Sequence, residues 1–428
     1  MKIAINGAGV AGPALAYWLL RYGHEPVLIE KAPALRKGGY IIDFWGAGYD
    51  IAGKMGILPR LLGLGYQVEE VRFVDAHGQK SGGFSTEVFW RMTGDRFTSL
   101  QRSDLAATIY STVEGKVETI FDDGIAAIED RADHVHVGFD RASPRDFDLV
   151  IGADGLHSRV RSLAFGPEKE AERFLGYCVA AFEVTGYRPR EELTYVSHAL
   201  PGRQVTRFSK RDDRTLFMFC YREKEPVPIP DDDAGRREVL RREFADMKWE
   251  VPAILAAMEN AENIYLDRVS QIEIPRWTKG RVALIGDAAA CVSLLAGEGC
   301  GLAMTEAYVL AGEIARAGDH HAAAFSRYEE RMRPFLIAKQ ASARKFASSF
   351  VPETGFGIAF RNWMMRLMVI PQVANFLVGE LNDNIDLPEY EAAYPERPHA
   401  LPMRMPAAKT SAPPSTTWKV ARRKGVSI

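Results

Sequence analysis

The sequence predicts an α/β protein in which a βαβ-type domain is joined to an antiparallel-sheet domain and closes with C-terminal helices. Three observations predict it. Residues 2–30 read as strand, glycine turn, helix and strand; residues 171–270 alternate β-branched and aromatic residues with polar ones; from Gly301 onward the apolar period becomes helical.

Taken in order, Lys2–Asn6 is a short buried strand, Val10–Tyr22 a helix with one face packed on a sheet, and Pro26–Glu30 a second strand. Two later segments repeat the strand-then-glycine pattern, Asp148–Ala153 before Asp154-Gly155 and Arg281–Ile285 before Gly286-Asp287. Three such strand ends are expected to converge on one ligand. Between them, Thr194–His198 and Thr215–Tyr221 alternate as a half-exposed antiparallel sheet does. Phe350 to Glu380 is strongly apolar, with a kink or stop expected at Pro371. From Pro395 the Pro, Ser, Thr and Lys content predicts a disordered tail.

The domain plan that follows is discontinuous. Residues 1–70, 97–170 and 271–333 form the nucleotide-binding domain, 71–96 and 171–270 the sheet domain, 334–394 a helical segment and 395–428 the tail.

Composition excludes several functions. The 428 residues carry 54 basic and 56 acidic side chains for a net charge of -2, which removes the global electrostatic reason to bind nucleic acid. The four cysteines, Cys178, Cys220, Cys291 and Cys300, form no CxxC pairs, so neither a metal site nor a disulfide framework is expected and a reducing cytoplasm fits. Lys2 and the apolar run to Leu20 resemble a signal peptide, but Gly7, Gly9 and Gly12 interrupt it. No apolar run approaches the ~18 residues of a membrane span.

Gly7-Ala8-Gly9-Val10-Ala11-Gly12 is GxGxxG in the required setting of a preceding strand and a following helix. Gly7 allows the tight turn, Gly9 lets the backbone approach a pyrophosphate, and Gly12 allows helix to touch strand, while the helix N-terminus offers free N–H groups to the anion. Glu30 closes the second strand, where a carboxylate can accept ribose hydroxyls. This predicts a dinucleotide and leaves NAD and FAD both open. The Gly286-Asp287 segment, followed by Gly297 and Gly299 at the start of a helix, points to FAD. Asp287 can accept hydrogen bonds from a polyol chain, which NAD lacks, and the positive helix end would stabilise a reduced flavin.

On these motifs the chain resembles the single-component FAD-dependent aromatic hydroxylases (class A monooxygenases, para-hydroxybenzoate hydroxylase-like), from residue 1 to about 390. Pro26–Lys31, Leu35–Gly39 and Trp277–Arg281 resemble the branch of tetracycline-inactivating monooxygenases. The resemblance implies a Rossmann-like FAD-binding domain. It implies that Glu30 binds the adenosine ribose, that Arg102 lies near the FAD, that Asp154 serves the pyrophosphate region and the nicotinamide encounter and that Asp287 holds the FAD; Val10, Ala11 and Lys31 complete the expected set. It also implies transient NADPH or NADH docking, then reaction with O2 through a flavin C4a-hydroperoxide to hydroxylate an aromatic, phenolic or polycyclic small molecule. The flavin carries the chemistry, so no catalytic side chain is assigned.

One departure concerns the loop beside the flavin, where the family commonly has His and prolines and this chain has Ala290, Val292, Ser293 and Leu294. Arg203, Phe208, Phe217 and Phe219 are candidate substrate contacts, with core packing the simpler role for the phenylalanines. His157 reads as structural or solvent-facing more readily than as a proton shuttle, and Cys291 and Cys300 as packing residues more readily than as a redox pair. The Phe350–Leu377 stretch could be a lid, a dimer surface, a membrane-resting helix or ordinary packing. A monomer or homodimer is expected. Competing readings are a flavin-dependent reductase or saturase that inserts no oxygen, and a flavin-binding protein without turnover. A plain NAD dehydrogenase leaves the second and third motifs unexplained.

Overall fold

The computed structural model describes residues 1–36, 38–293, 297–369 and 385–390, with the backbone alone at 345–349 and 369. The tail, Pro371 and Leu294 therefore lie outside the described residues.

A six-stranded sheet forms the base of the molecule. Its members are β1 (Lys2–Asn6), β2 (Glu25–Glu30), β7 (Glu118–Phe121), β11 (Leu149–Gly152), β17 (Thr278–Lys279) and β18 (Val282–Leu284), in the order β17-β18-β11-β1-β2-β7. Ile3, Ala4, Ile5, Leu149, Val150 and Ile151 are fully buried, because a central parallel strand is covered on both faces and reads as a continuous apolar run. Helix α1 (Ala11–Arg21) packs Leu15, Trp18 and Leu19 into that core. Asn6 pairs in register with Gly152, and Gly152 with Leu284, so three strands end side by side.

Helices α2 (Gly46–Lys54), α3 (Leu58–Leu64) and α5 (Arg102–Tyr110) flank this base with the two-stranded pair β3 (Ile41–Trp45) and β6 (Phe97–Gln101). A small antiparallel sheet of β8 (Ile125–Asp130), β9 (Val135–Phe139) and β10 (Arg145–Phe147) precedes β11.

The second sheet has seven strands: β4 (Glu70–Val74), β5 (Lys80–Ser85), β12 (Glu172–Thr185), β13 (Thr194–Leu200), β14 (Arg203–Ser209), β15 (Arg214–Arg222) and β16 (Tyr265–Ile272), ordered β16-β12-β15-β14-β13-β4-β5. It is antiparallel except where β13 runs parallel to β4. The sequence predicted a half-exposed sheet here, and the structure corrects this: β14 and most of β15 are buried. Helices α8 (Asp233–Phe244) and α9 (Val251–Ala257) cover one face. The other face turns towards the base and the C-terminal helices.

Short helices α4 (Glu87–Thr93), α6 (Arg159–Phe165), α7 (Glu168–Ala171) and α10 (Asp287–Ala290) sit at loop ends, and α11 (Gly299–Ala317) and α12 (His321–Phe350) follow. Pro334 lies inside α12, which runs unbroken across the expected boundary at 333/334. Helix α13 (Gly355–Arg366) closes on β5, where a Cβ at Gly82 would stand 2.7 Å from the Asn362 carbonyl. Phe356, Phe360 and Trp363 are its exposed aromatics, the described part of the apolar stretch.

Candidate functional site

The first glycine loop is fixed by close backbone approach. Gly7 has φ +113°, and a Cβ there would stand 2.4 Å from the Ala153 carbonyl; one at Gly12 would stand 1.9 Å from the Gly7 carbonyl. Gly9 is different, since a Cβ there would meet only the Arg102 guanidinium, at 3.8 Å, among the described residues. Its open side is a cradle that a side chain would fill. No side chain caps α1 after Val10 among the described residues, so the first-turn amides at Ala11 and Gly12 are free to face an anion. Glu30 is held beside this loop by the Ala8 and Ala32 amides, at 2.8 and 3.0 Å. Each carboxylate oxygen keeps a lone pair for a further donor. Lys31 follows, exposed.

Asp154 is turned inward. Its carboxylate accepts from the Asn6 amide side chain at 2.8 Å, the Arg159 and Val160 amides at 2.8 and 3.2 Å, and the Ser158 hydroxyl. It therefore starts α6 and ties the end of β1 to the loop after β11. Arg161 has no exposed surface. It donates to the Leu156 carbonyl at 2.6 Å and to the Ala288 carbonyl at 3.2 Å, joining the second motif to the third.

Gly286 takes φ +62° and its amide donates to the buried carboxyl of Glu306 at 2.6 Å. The Tyr328 hydroxyl lies 3.0 Å from both Glu306 and the Leu284 carbonyl. One phenolic hydrogen cannot serve both acceptors. A neutral Glu306 that donates to Tyr328 while Tyr328 donates to Leu284 resolves this, and burial does push Glu306 well above the ordinary carboxyl range. Asp287 opens α10, and a Cβ at Gly299 would lie 3.7 Å from its carboxylate. Burial raises Asp287 while the Arg102 charge opposes the rise. Gly297, at φ +71°, precedes α11, whose N-terminus has no side-chain cap among the described residues.

Around Arg102 and Asp287 stand Tyr40 and Tyr265, with ring centroids 5.8 Å apart. Both keep accessible surface, yet burial pushes both phenols upward. Asp43 is exposed, bonded by the Ser99 hydroxyl at 2.6 Å, and likewise raised by burial. Accessible groups that are nevertheless desolvated line an internal cleft rather than the outer surface. Gly9, Asp287, Tyr40 and Tyr265 mark one part of it, and Asp43 with Tyr195 on β13 another.

The family described as FAD binding domain matches residues 105–342. A flavin-dependent monooxygenase from an unknown prokaryotic organism is 36% identical over 82% of this chain and 91% of its own length. One from Legionella longbeachae serogroup 1 is 33% identical over 92% of this chain and 99% of its own. Among solved structures, tetracycline destructase Tet(51) is similar with TM-score 0.77 and 32% identity, over 91% of this chain and 99% of that one. Klebsiella pneumoniae HpxO complexed with FAD and uric acid follows with TM-score 0.73 and 25% identity, over 89% and 98%. The chain belongs to the FAD-dependent monooxygenases.

In this flavin monooxygenase the four substrate candidates separate by face. Phe217 and Phe219 sit beneath α8 in the core with Phe182 and Phe244, the Phe219 and Phe244 rings 4.9 Å apart. Arg203 is on the same side, paired with Asp246 and donating to the Glu243 carbonyl. Strand alternation points these three away from the cleft: Phe217 and Phe219 take the packing role, and Arg203 is a surface ion pair rather than a substrate contact. Phe208 alone faces the cleft side, 1% exposed, and packs against Tyr195 at 4.6 Å and Tyr66 at 5.4 Å, so it backs the wall. Tyr40, Asp43, Tyr195, Tyr265, Arg161 and Glu306 are site residues that motif reading missed. The one signal for Tyr40 was its place after Gly38-Gly39.

His157 bridges Glu168 at 2.8 Å and Asp267 at 3.2 Å, a structural setting. Cys291 donates to the Ser270 carbonyl, and burial pushes its thiol up, as it pushes Cys300 to about 11. Both remain protonated packing residues. Beyond Ala290, Val292 is held by Gln271, which donates to its carbonyl at 2.6 Å. Among the described residues no helix is long and apolar enough to cross a membrane, and no His, Cys, Asp and Glu cluster suits a metal.

Proposed function

We propose that the enzyme uses NADPH or NADH and O2 to hydroxylate an aromatic, phenolic or polycyclic small molecule in the cleft between its six-stranded and seven-stranded sheets. The observation that carries this reading is the register Asn6, Gly152, Leu284, which brings three glycine-bearing strand ends under one tyrosine-lined cleft. The residues fit FAD. The open face of Gly9 and the free amides of α1 suit the pyrophosphate, Glu30 the ribose, and Asp287 with Arg102 the polyol and ring.

Bound there, FAD would supply hydride acceptance and oxygen activation. The chain's own residues do the rest. Arg102 and the N-terminus of α11 would offset negative charge on a flavin ring held beside them. Tyr40 and Tyr265, held as neutral phenols by burial, donate hydrogen bonds into the cleft. The sheet face carrying Tyr195 and Phe208 excludes water and presents an apolar wall to a flat substrate. Small organic molecules are the partners we expect. With all four cysteines free and buried, we place the protein in the cytoplasm as a monomer or homodimer.

Purified protein should be yellow and release FAD on denaturation. Phenols and polycyclic compounds should be screened for acceleration of NADPH and NADH oxidation, with product mass read under labelled dioxygen. Incorporation of the label is the expected result. Substrate-stimulated oxidation without label would replace this reading with the reductase one, and colourless protein that takes up no FAD would end both.

A further inference from the structure

A groove of about 450 Å³ lies where the ends of β4 and β13 meet α13. That volume is within the range of small-molecule sites, ~300–1,000 Å³. Phe73, Leu200, Ile358 and Trp363 give it apolar and aromatic walls, and Arg361 and Arg366 line it too. Ala199 borders this groove, whereas Tyr195 borders the flavin cleft; four residues along β13 separate the two by ~13 Å.

Arg361 is 8% exposed and all of its described hydrogen bonds go to neutral acceptors. Nη1 donates to the Gln204 side-chain oxygen and to the Phe350 carbonyl, each at 2.7 Å, and Nε and Nη2 donate to the Asn362 side-chain oxygen at 3.3 and 3.2 Å. Its guanidinium lies 4.3 Å from the Phe73 ring centroid. No carboxylate among the described residues offsets its charge, and burial draws it down to about 10. A buried charge without a countercharge is costly. Asp75, the acidic residue on the groove wall, accepts the His77 and Gln79 amides at 2.8 and 2.9 Å, which turns it into its own loop. Four of the five N–H groups of Arg361 are thus taken by neutral partners, which leaves one Nη2 hydrogen and an uncompensated positive charge over the Phe73 ring on the wall of an apolar groove. Such a group is suited to receive an anion through one charge-assisted hydrogen bond, with Arg366 beside it on the groove wall as a second cation.

We propose that this groove is a binding site for a small organic anion, an apolar or aromatic body bearing a carboxylate, with the carboxylate on Arg361 and Arg366 and the body against Phe73 and Trp363. The site is separate from the flavin cleft and does not depend on the reaction the flavin performs.

Calorimetric titration of the holoprotein with 2-naphthoate, and with 2-naphthamide as neutral control, tests it. Saturable naphthoate binding is expected, at least about tenfold tighter than the amide, as loss of a charge-assisted pair implies. Arg361→Gln should weaken naphthoate at least about tenfold, while Arg361→Lys should retain part of the affinity. Should Arg361→Gln fail to fold, Ala359→Trp fills the groove with the arginine intact and should abolish binding. Absence of saturable binding by the wild type, equal affinity for the amide, or unchanged affinity in the folded variants would overturn the proposal. So would a naphthoate-induced change in the flavin spectrum that persists in Arg361→Gln, since it would put the anion in the flavin cleft.

Discussion

The six-stranded and seven-stranded sheets carry function in different physical terms. In the six-stranded sheet the work is done by backbone: strand ends in register, glycines at Gly7 and Gly12 with no room for a Cβ, and amides left open at a helix start. In the seven-stranded sheet it is done by alternate side chains. Tyr195 faces the cleft and Val196 the helices; Phe208 faces the cleft and Phe217 does not. A backbone requirement leaves a glycine in the sequence, whereas a face assignment depends on which side the covering helices choose.

The comparison breaks first at Gly12. Gly12→Ala would put a methyl 1.9 Å from the Gly7 carbonyl, backbone that cannot swing away. A loss on the order of 3 kcal/mol in unfolding free energy and near-complete loss of bound flavin are expected, read by denaturant melts and flavin absorbance. Retention of both would show that the loop has slack the geometry denies. Asp287→Ala should leave the fold intact and weaken FAD by ~1–3 kcal/mol through lost hydrogen bonds, measured as the dissociation constant of the reconstituted apoprotein. An unchanged constant would take Asp287 out of the flavin site.

The same contrast explains what was legible beforehand. Gly7, Glu30 and Asp287 could be found because turns, ribose acceptors and polyol acceptors require particular residues at particular spacings. Phe217 and Phe219 take the packing role, but nothing in their own strands, or in that of Arg203, says that α8, many residues later, folds over that face. Tyr40 and Tyr265 are brought together across 225 positions by the chain's return to β16, so no local pattern marks them. Glu306 lies on a largely apolar helix, where an acid gives no sign that it will reach back to Gly286.

That buried acid sharpens the comparison, because it supports the backbone-defined site from behind. If Glu306 is neutral, Glu306→Gln preserves the pattern: its oxygen accepts from Gly286 and its amide donates to Tyr328. FAD affinity should stay within about threefold, whereas Glu306→Ala, which strands a buried amide, should cost ~1–3 kcal/mol of stability. The pH dependence has a fixed sign. The folded carboxyl holds its proton above the ordinary value of 4.5, so the folded state binds more protons than the unfolded one once pH exceeds that value, and stability falls as pH rises further. The glutamine variant lacks this slope. Its stability relative to the wild type should therefore grow between about pH 5 and 8; a constant difference would mean that Glu306 is ionised.

The smallest effect lies where the sheets meet. His157 follows the second motif, and its hydrogen bonds to Asp267 on β16 and to Glu168 raise it to about 10. With the side chain 44% exposed, solvent screening limits the pair to the surface range of about 0.2–1 kcal/mol. A base whose folded value is raised contributes fully below its unfolded value of 6.5 and loses that contribution as pH climbs through about 10. His157→Gln should thus lower the unfolding midpoint at pH 6 and converge with the wild type above pH 10, with bound flavin unchanged throughout. A loss that is equally large at both pH values would make the residue a packing element. A fall in turnover under saturating substrate, with the fold and flavin intact, would instead return it to the role of proton carrier.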